Sequence, residues 1–303
     1  MRAGEILSVI FLLALALTGP AFGERRTIED ELVIVRFDSP LESAAKEVLR
    51  DYPAVRAELM KDLGWKTEFR PEIVLVKDNA SFRLGVESAL VTAFAVPRKD
   101  LIVIDYSRMN VQPFTLGITL KHELCHLELH HRVGEGRLPR WLDEGICQWV
   151  TGGLAEIMTD GKRPVLREAI LSKRLMSIGR LTEDFPTDGK ELVLAYEESR
   201  SLVEYIRKEF GVSGLLNIVE QMRGGDQPED AIRKSLQIST DELEKRWRAS
   251  LARRIWWFSY ISDNLYEILF LLAAVITIYG FFRILRKRRE YRDEDEEENE
   301  GKP

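Results

Sequence analysis

The spacing of apolar positions along the first hundred residues predicts a small sheet that packs with a helix. Short apolar runs at Leu32–Phe37 and Ile73–Val76 predict two strands. Leu90–Val96 and Leu101–Ile104 predict two more, joined by a hairpin-like turn. Leu41–Leu63 has helical spacing, and its Pro53 is expected to break or kink the helix. Strands and a helix in this order predict an α+β fold.

The pattern changes after residue 164, where helical periodicity dominates as far as Trp247. One helix is predicted over Leu192–Phe210, with Gly211 ending it. Further helices are predicted to start at Pro228 and near Thr240. The sequence therefore predicts a helical C-terminal lobe beside the mixed N-terminal part.

Both ends of the chain carry apolar segments that indicate export and a membrane anchor. Residues 1–23 have a basic start, an apolar stretch and a small-residue cleavage site, which predicts a signal peptide; a retained N-terminal anchor is the alternative. Leu265–Ile284 is long enough to cross a bilayer as one transmembrane helix, with a buried core helix as the alternative. Aromatic residues precede this run and basic residues follow it: Trp256, Trp257 and Tyr260, then Arg283, Arg286, Lys287, Arg288 and Arg289.

These segments divide the 303 residues into four parts. The signal peptide is followed by an extracytoplasmic domain over 24–254, a membrane segment over 255–285 and a tail over 286–303. The basic cluster places the C-terminus in the cytoplasm, and the acidic run Asp293–Glu300 is expected to be disordered. A net charge of −6 gives no support for nucleic-acid binding.

A histidine cluster between residues 122 and 131 holds all four histidines of the chain. Within it, His122 and His126 are four residues apart, so a helix places both imidazoles on one face, where they can bind zinc. Glu123 is rotated by about 100° from His122 and can activate water without binding the metal. The motif is H-E-x-x-H, although clustered histidines can also be packed or exposed without a metal.

A catalytic zinc needs a third protein ligand. The metzincin continuation H-x-x-G-x-x-H is absent, because Leu129 and Arg132 occupy its glycine and histidine positions. The next predicted helix, which follows Pro139, offers carboxylates at Asp143 and Glu144, and we take Glu144 as the candidate. Gly145 beside it lets another backbone approach closely.

The segments H-E-L-C-H and L-P-R-W-L-D-E-G-I resemble those of the peptidase MA-like gluzincins, relatives of thermolysin and aminopeptidase N. The resemblance implies a zincin-like fold and one zinc ion bound by His122, His126 and Glu144. It also implies a tyrosine that stabilises the oxyanion, with Tyr196 as the candidate and Tyr205 as the alternative.

The sequence departs from the thermolysin-like pattern at three positions. Gln148 replaces an aspartate that orients a ligand histidine, although its amide oxygen can still accept a hydrogen bond. Cys125 and Cys147 lie on the two candidate zinc helices. We expect them to be buried free thiols, with a disulfide as the alternative.

The sequence as a whole predicts a membrane-anchored zinc metallopeptidase that cleaves protein or peptide substrates outside the cytoplasm. Absence of the motif G-x-M-E-N favours an endopeptidase. The segment Thr92–Val96 is a candidate edge strand for pairing with substrate, or an ordinary interior strand. The alternative function is an inactive zincin-fold protein for binding or assembly, and the oligomeric state stays open.

Overall fold

The structure is a computed structural model that describes residues 25–77, 91–109, 115–153, 165–187, 189–263 and 265–300. The predicted signal peptide at 1–23 and position 90 lie outside the described residues. The side chains of Trp256, Trp257 and Tyr260 and those of residues 285–300 are also outside the description. The chain divides into two compact units, one up to Trp247 and one from Arg248.

A five-stranded mixed sheet forms the N-terminal part of the first unit. Its strands are β1 (Arg25–Glu29), β2 (Ile34–Asp38), β3 (Glu72–Val76), β4 (Ala93–Val96) and β5 (Leu101–Asp105). They lie in the order β1-β2-β3-β5-β4. The inner pairs β2–β3 and β3–β5 are parallel, and the outer pairs β1–β2 and β4–β5 are antiparallel. The predicted hairpin is therefore confirmed, and β4 lies at one edge of the sheet.

The sheet is buried most deeply at its centre, where β3 and β5 are almost continuously apolar. All five residues of β5 are buried. On one face Val74 and Val103 pack with neighbours from the edge strand, including Phe94. Helix α1 (Glu42–Leu63) packs on β2 and runs through Pro53 without interruption, so the predicted break is wrong.

The remaining helices of the first unit build the site and its support. Helix α2 (Leu116–Val133) starts where the Thr115 side chain accepts a hydrogen bond from the Ile118 backbone, and contacts α1 and β4. The others are α3 (Arg140–Val150), α4 (Val165–Leu171), α5 (Ile178–Glu183), α6 (Gly189–Arg223), α7 (Pro228–Leu236) and α8 (Thr240–Asp263), which continues into the second unit. The predicted helical lobe is confirmed.

Gly211 interrupts α6 with φ 76° and ψ 172°, as expected from the predicted helix end, and the chain then resumes its helical path. The positive φ is readily adopted by glycine, which has no Cβ.

The second unit is formed by the end of α8 and by α9 (Leu265–Glu300). Large apolar side chains of α9, such as Phe270 and Ile276, are exposed. Over the described residues, none of the helices has a stretch that is both long and apolar enough to span a bilayer. Helix α9 includes residues 293–300, and the disorder expected for this tail stays a prediction.

Candidate metal centre

Helix α2 presents two histidines side by side in the interior of the first unit. His122 and His126 are both buried, and their rings meet edge to face with centroids 4.9 Å apart. Their Nε2 atoms are separated by 3.3 Å. The four-residue spacing on α2 therefore brings two imidazole nitrogens to one point, as predicted from the sequence.

Glu144, from the first turns of α3, brings a carboxylate to the same point. Its Oε2 lies 3.8 Å from Nε2 of His122 and 3.6 Å from Nε2 of His126. Oε2 is buried and accepts no hydrogen bond within the described part of the chain. The other oxygen, Oε1, accepts from the Tyr196 hydroxyl at 2.8 Å and from Nε of Arg140 at 3.4 Å.

The three inward atoms fit a tetrahedral metal ion. Zinc bonds of about 2.0–2.1 Å place neighbouring tetrahedral ligands about 3.3–3.4 Å apart. The observed separations of 3.3, 3.6 and 3.8 Å are close to this value. Two imidazoles and a carboxylate are also a ligand set that zinc accepts. The residues present therefore fit the metal that the sequence implies.

The electrostatics of the triad favour an ionised carboxylate. Burial alone would raise the pKa of Glu144, but His126, His122 and Arg140 outweigh it and lower that pKa below its ordinary value. Burial would lower the pKa of His126, yet the carboxylates of Asp143 and Glu144 raise it well above the ordinary value.

Glu123 is fully buried beside the two histidines but does not belong to the triad. Because it follows His122 by one residue, it is rotated by about 100° from His122 around the helix. Its action beside a metal stays a prediction.

Tyr196 of α6 is buried, and its hydroxyl donates to Glu144. Its ring meets Phe185 edge to face at 5.7 Å. The alternative, Tyr205, is nine residues further along α6, which is about 13–14 Å of helix, and it lies close to Arg246. Tyr196 is therefore the tyrosine that contacts the triad.

Gln148 does not orient a histidine as the thermolysin-like pattern suggested. Its amide nitrogen instead donates to the backbone carbonyl of Tyr196 at 3.1 Å. Nδ1 of His122 is buried and has no hydrogen-bond partner among the described residues. The expectation for Gln148 is corrected, because the close packing of α3 on α6 gives its amide a different partner.

Asp143 and His130 extend the site on the other side of His126. Asp143 Oδ1 lies 2.7 Å from His126 Nδ1, and its Oδ2 lies 3.1 Å from His130 Nε2. Burial would raise the pKa of Asp143, but the two histidines lower it below its ordinary value. These contacts were not predicted from the sequence, although the four-residue spacing of residues 122, 126 and 130 places all three histidines along one face of α2.

Cys125 and Cys147 are both buried free thiols, as predicted. Burial, together with Cys125, raises the pKa of Cys147 well above its ordinary value, which keeps the thiol protonated. Cys147 Sγ lies 3.5 Å from His126 Nδ1, so with Asp143 these groups make a second set with metal-ligand spacing. The short hydrogen bond from His126 to Asp143 already accounts for that nitrogen.

The fold and the triad define the class of protein as a zincin-like metallopeptidase of the gluzincin type. The family model of the Peptidase MA superfamily matches residues 86–253, which is more than half of the chain. The chain belongs to the Peptidase MA superfamily, and the resemblance drawn from its sequence is confirmed. No curated protein matches the chain.

The solved structures that match this chain are distant from it. Yeast LTA4 hydrolase in complex with bestatin is 12% identical with a TM-score of 0.44, and the alignment covers 70% of this chain and 36% of that one. An M1 zinc metallopeptidase from Deinococcus radiodurans is 14% identical with a TM-score of 0.40, covering 74% of this chain and 51% of that one. This chain thus spans between a third and about half of their lengths.

Proposed function

We propose that the protein is a zinc-dependent peptidase that hydrolyses peptide bonds. The observation that carries the proposal is the convergence of His122, His126 and Glu144, with Oε2 of Glu144 turned toward both Nε2 atoms. Zinc, when bound by these three residues, supplies a Lewis acid that polarises a carbonyl and makes water a better nucleophile at neutral pH.

The other residues of the site supply the proton transfers and the oxyanion contact. Glu123 accepts the proton of the attacking water and passes it to the leaving amine. The Tyr196 hydroxyl, now directed at Glu144, is close enough to the triad to donate a hydrogen bond to a carbonyl oxygen that gains charge. With zinc bound, these residues would supply the base and the hydrogen-bond donor that peptide hydrolysis needs.

The edge strand β4 is the proposed binding surface for the substrate backbone. It lies at the end of the sheet and packs against α2, which carries two of the three candidate ligands. Among the residues that the structure describes, β4 pairs within the sheet on one side, with β5. An extended peptide can add to the other side through main-chain hydrogen bonds. An extended substrate and the absence of G-x-M-E-N both favour an endopeptidase.

We further propose that the peptidase domain is exported and tethered to a membrane, with its C-terminus in the cytoplasm. Support comes from the N-terminal sequence and from α9, whose apolar side chains between Leu265 and Ile284 are exposed. Cysteine-labelling or protease protection in intact cells tests this topology. Access to the peptidase domain from the cytoplasmic side would contradict it.

The catalytic proposal is tested with Glu123→Gln, which keeps the shape of the side chain and removes the base. We expect this variant to keep about one zinc per chain and to lose about 10²- to 10⁴-fold in the rate of cleavage of a fluorescently labelled unfolded protein. A matched control is Glu128→Gln, which changes another buried glutamate of α2 that is not part of the triad.

Two outcomes would overturn the proposal in different ways. Glu123→Gln cleaving at the parental rate would remove the role assigned to Glu123. A parent protein that binds zinc but cleaves nothing, with or without added zinc, would instead favour the inactive zincin-fold binding protein.

A further inference from the structure

The ring nitrogen of His126 that faces away from the rest of the triad is contacted by Asp143, which is contacted in turn by His130. Nε2 of His126 points to His122 and Glu144, while Nδ1 lies 2.7 Å from the Asp143 carboxylate. The second oxygen of that carboxylate lies 3.1 Å from Nε2 of His130, one turn further along α2. One carboxylate thus bridges two consecutive turns of the helix.

We infer that Asp143 and His130 form a positioning unit that fixes the tautomer and the ring orientation of His126. A carboxylate only accepts hydrogen bonds, so Nδ1 of His126 carries a proton, and when the imidazole is neutral its lone pair is on Nε2. That lone pair then faces the point shared with Glu144. The inference rests on the proposed zinc site, because only a ligand needs this tautomer.

His130 has a defined part in this unit. Asp143 alone could rotate about its side-chain bonds and offer either oxygen to His126. The hydrogen bond from His130 engages the second oxygen and so fixes the plane of the carboxylate. The His130 side chain is 39% exposed and is not among the candidate metal ligands, so it acts only through Asp143.

The unit supplies a supporting carboxylate that position 148 lacks. In the thermolysin-like pattern a carboxylate four residues after the glutamate ligand orients a histidine, and here that position bonds to the backbone of α6. Asp143, one residue before Glu144, offers a carboxylate from the same helix to His126. Supporting partners of this kind are worth about 10- to 100-fold in metal affinity.

The test measures zinc affinity of the full-length protein by competition with a chromophoric chelator. Asp143→Ala should bind zinc about 10- to 100-fold more weakly. Asp143→Asn, which keeps an acceptor oxygen, should recover most of that loss. His130→Ala should show a smaller loss that His130→Gln restores, because an amide N–H can reach the same oxygen.

The matched control is His131→Ala, which removes the neighbouring, similarly exposed histidine that pairs with Asp100. This variant should bind zinc like the parent. If it loses as much affinity as Asp143→Ala, or if Asp143→Ala stays within about threefold of the parent, far below the loss expected for a supporting partner, the inference is wrong.

A second readout needs no metal and separates this inference from the proposed function. With ¹⁵N-labelled histidine the chain gives signals from only four imidazoles, and their shifts report which nitrogen is protonated. At a pH above the His126 pKa, the neutral imidazole of the metal-free parent should carry its one proton on Nδ1, and Asp143→Ala should mix the two tautomers. An unchanged tautomer overturns the positioning role, whereas a parent that binds no zinc overturns the proposed function.

Discussion

Replacing Gly145 by alanine tests how closely α3 and α6 must pack for the site to form. A Cβ at residue 145 would lie 2.6 Å from the backbone oxygen of Ser199 and 2.5 Å from Cγ2 of Val203. The valine methyl can turn away, but the carbonyl belongs to the backbone of α6. Helix α6 must therefore move away from α3 at this point.

The size of the effect follows from these distances. Cβ contacts below 3.0 Å essentially do not occur, so the Ser199 carbonyl must move by at least about 0.4 Å. Tyr196 lies on the same helix, and an equal shift would lengthen its 2.8 Å bond to Glu144 to about 3.2 Å, beyond the usual range for O–H···O. Overpacking of this kind costs about 1–3 kcal/mol.

Thermal unfolding of the metal-free protein measures this cost. For a unit of this size about 2 kcal/mol corresponds to a drop in Tm of about 4–8 °C. Gly117→Ala is the matched control, since a Cβ there meets nothing within 4 Å and alanine in a helix stabilises by up to about 1 kcal/mol. A Tm of Gly145→Ala equal to or above that of the parent would show that α3 and α6 do not pack this closely at residue 145.

Three further predictions concern the hydroxyl, the metal and a buried carboxyl. Tyr196→Phe removes a hydrogen bond to the ionised Glu144 carboxylate, worth about 1.5–3 kcal/mol, so zinc affinity should fall by up to about 150-fold and kcat should fall as well; unchanged kcat would leave the tyrosine a structural role. Zinc at about 100 times Kd should stabilise the parent by about 2.7 kcal/mol in thermal unfolding, and Glu144→Ala should lose this response. Burial raises the pKa of Glu128 in the folded state. The stability that this carboxyl contributes is therefore full below its unfolded-state pKa and is lost as the pH rises through its folded-state pKa. The Tm of Glu128→Gln minus that of the parent should thus be larger at pH 7.5 than at pH 4.5; an equal difference at both pH values would contradict the raised pKa.

The triad could be predicted from the sequence because its geometry is mostly local. Two ligands follow from a four-residue spacing on one helix, and the third comes from the next helix after a short connection. Gly145 was likewise readable, since a glycine beside a ligand indicates close approach of another backbone. Such features depend on the chain's immediate neighbourhood, which periodicity and motif spacing describe.

The parts that sequence missed depend on contacts between distant segments. Gln148 could have faced a histidine, and only the packing of α6 shows that it bonds to the Tyr196 carbonyl. Strand β1 has little apolar character and exists because it pairs with β2. The helix through Pro53 shows the same effect, because burial of Tyr52 and Leu59 against the core outweighs the local cost of a proline.

The packing of α3 on α6 explains why a ligand, its hydrogen-bond donor and a supporting amide occur together. Glu144, Gly145 and Gln148 lie within five residues of α3, and all three contact a short segment of α6 that contains Tyr196 and Ser199. A missing Cβ lets the backbones meet, the amide ties α3 to the Tyr196 carbonyl, and the hydroxyl of the same tyrosine reaches the carboxylate. Because these contacts share one interface, the position of Glu144 depends on α6 as much as on α3. The third candidate ligand is thus positioned by a helix that contributes no residue of its own to the triad.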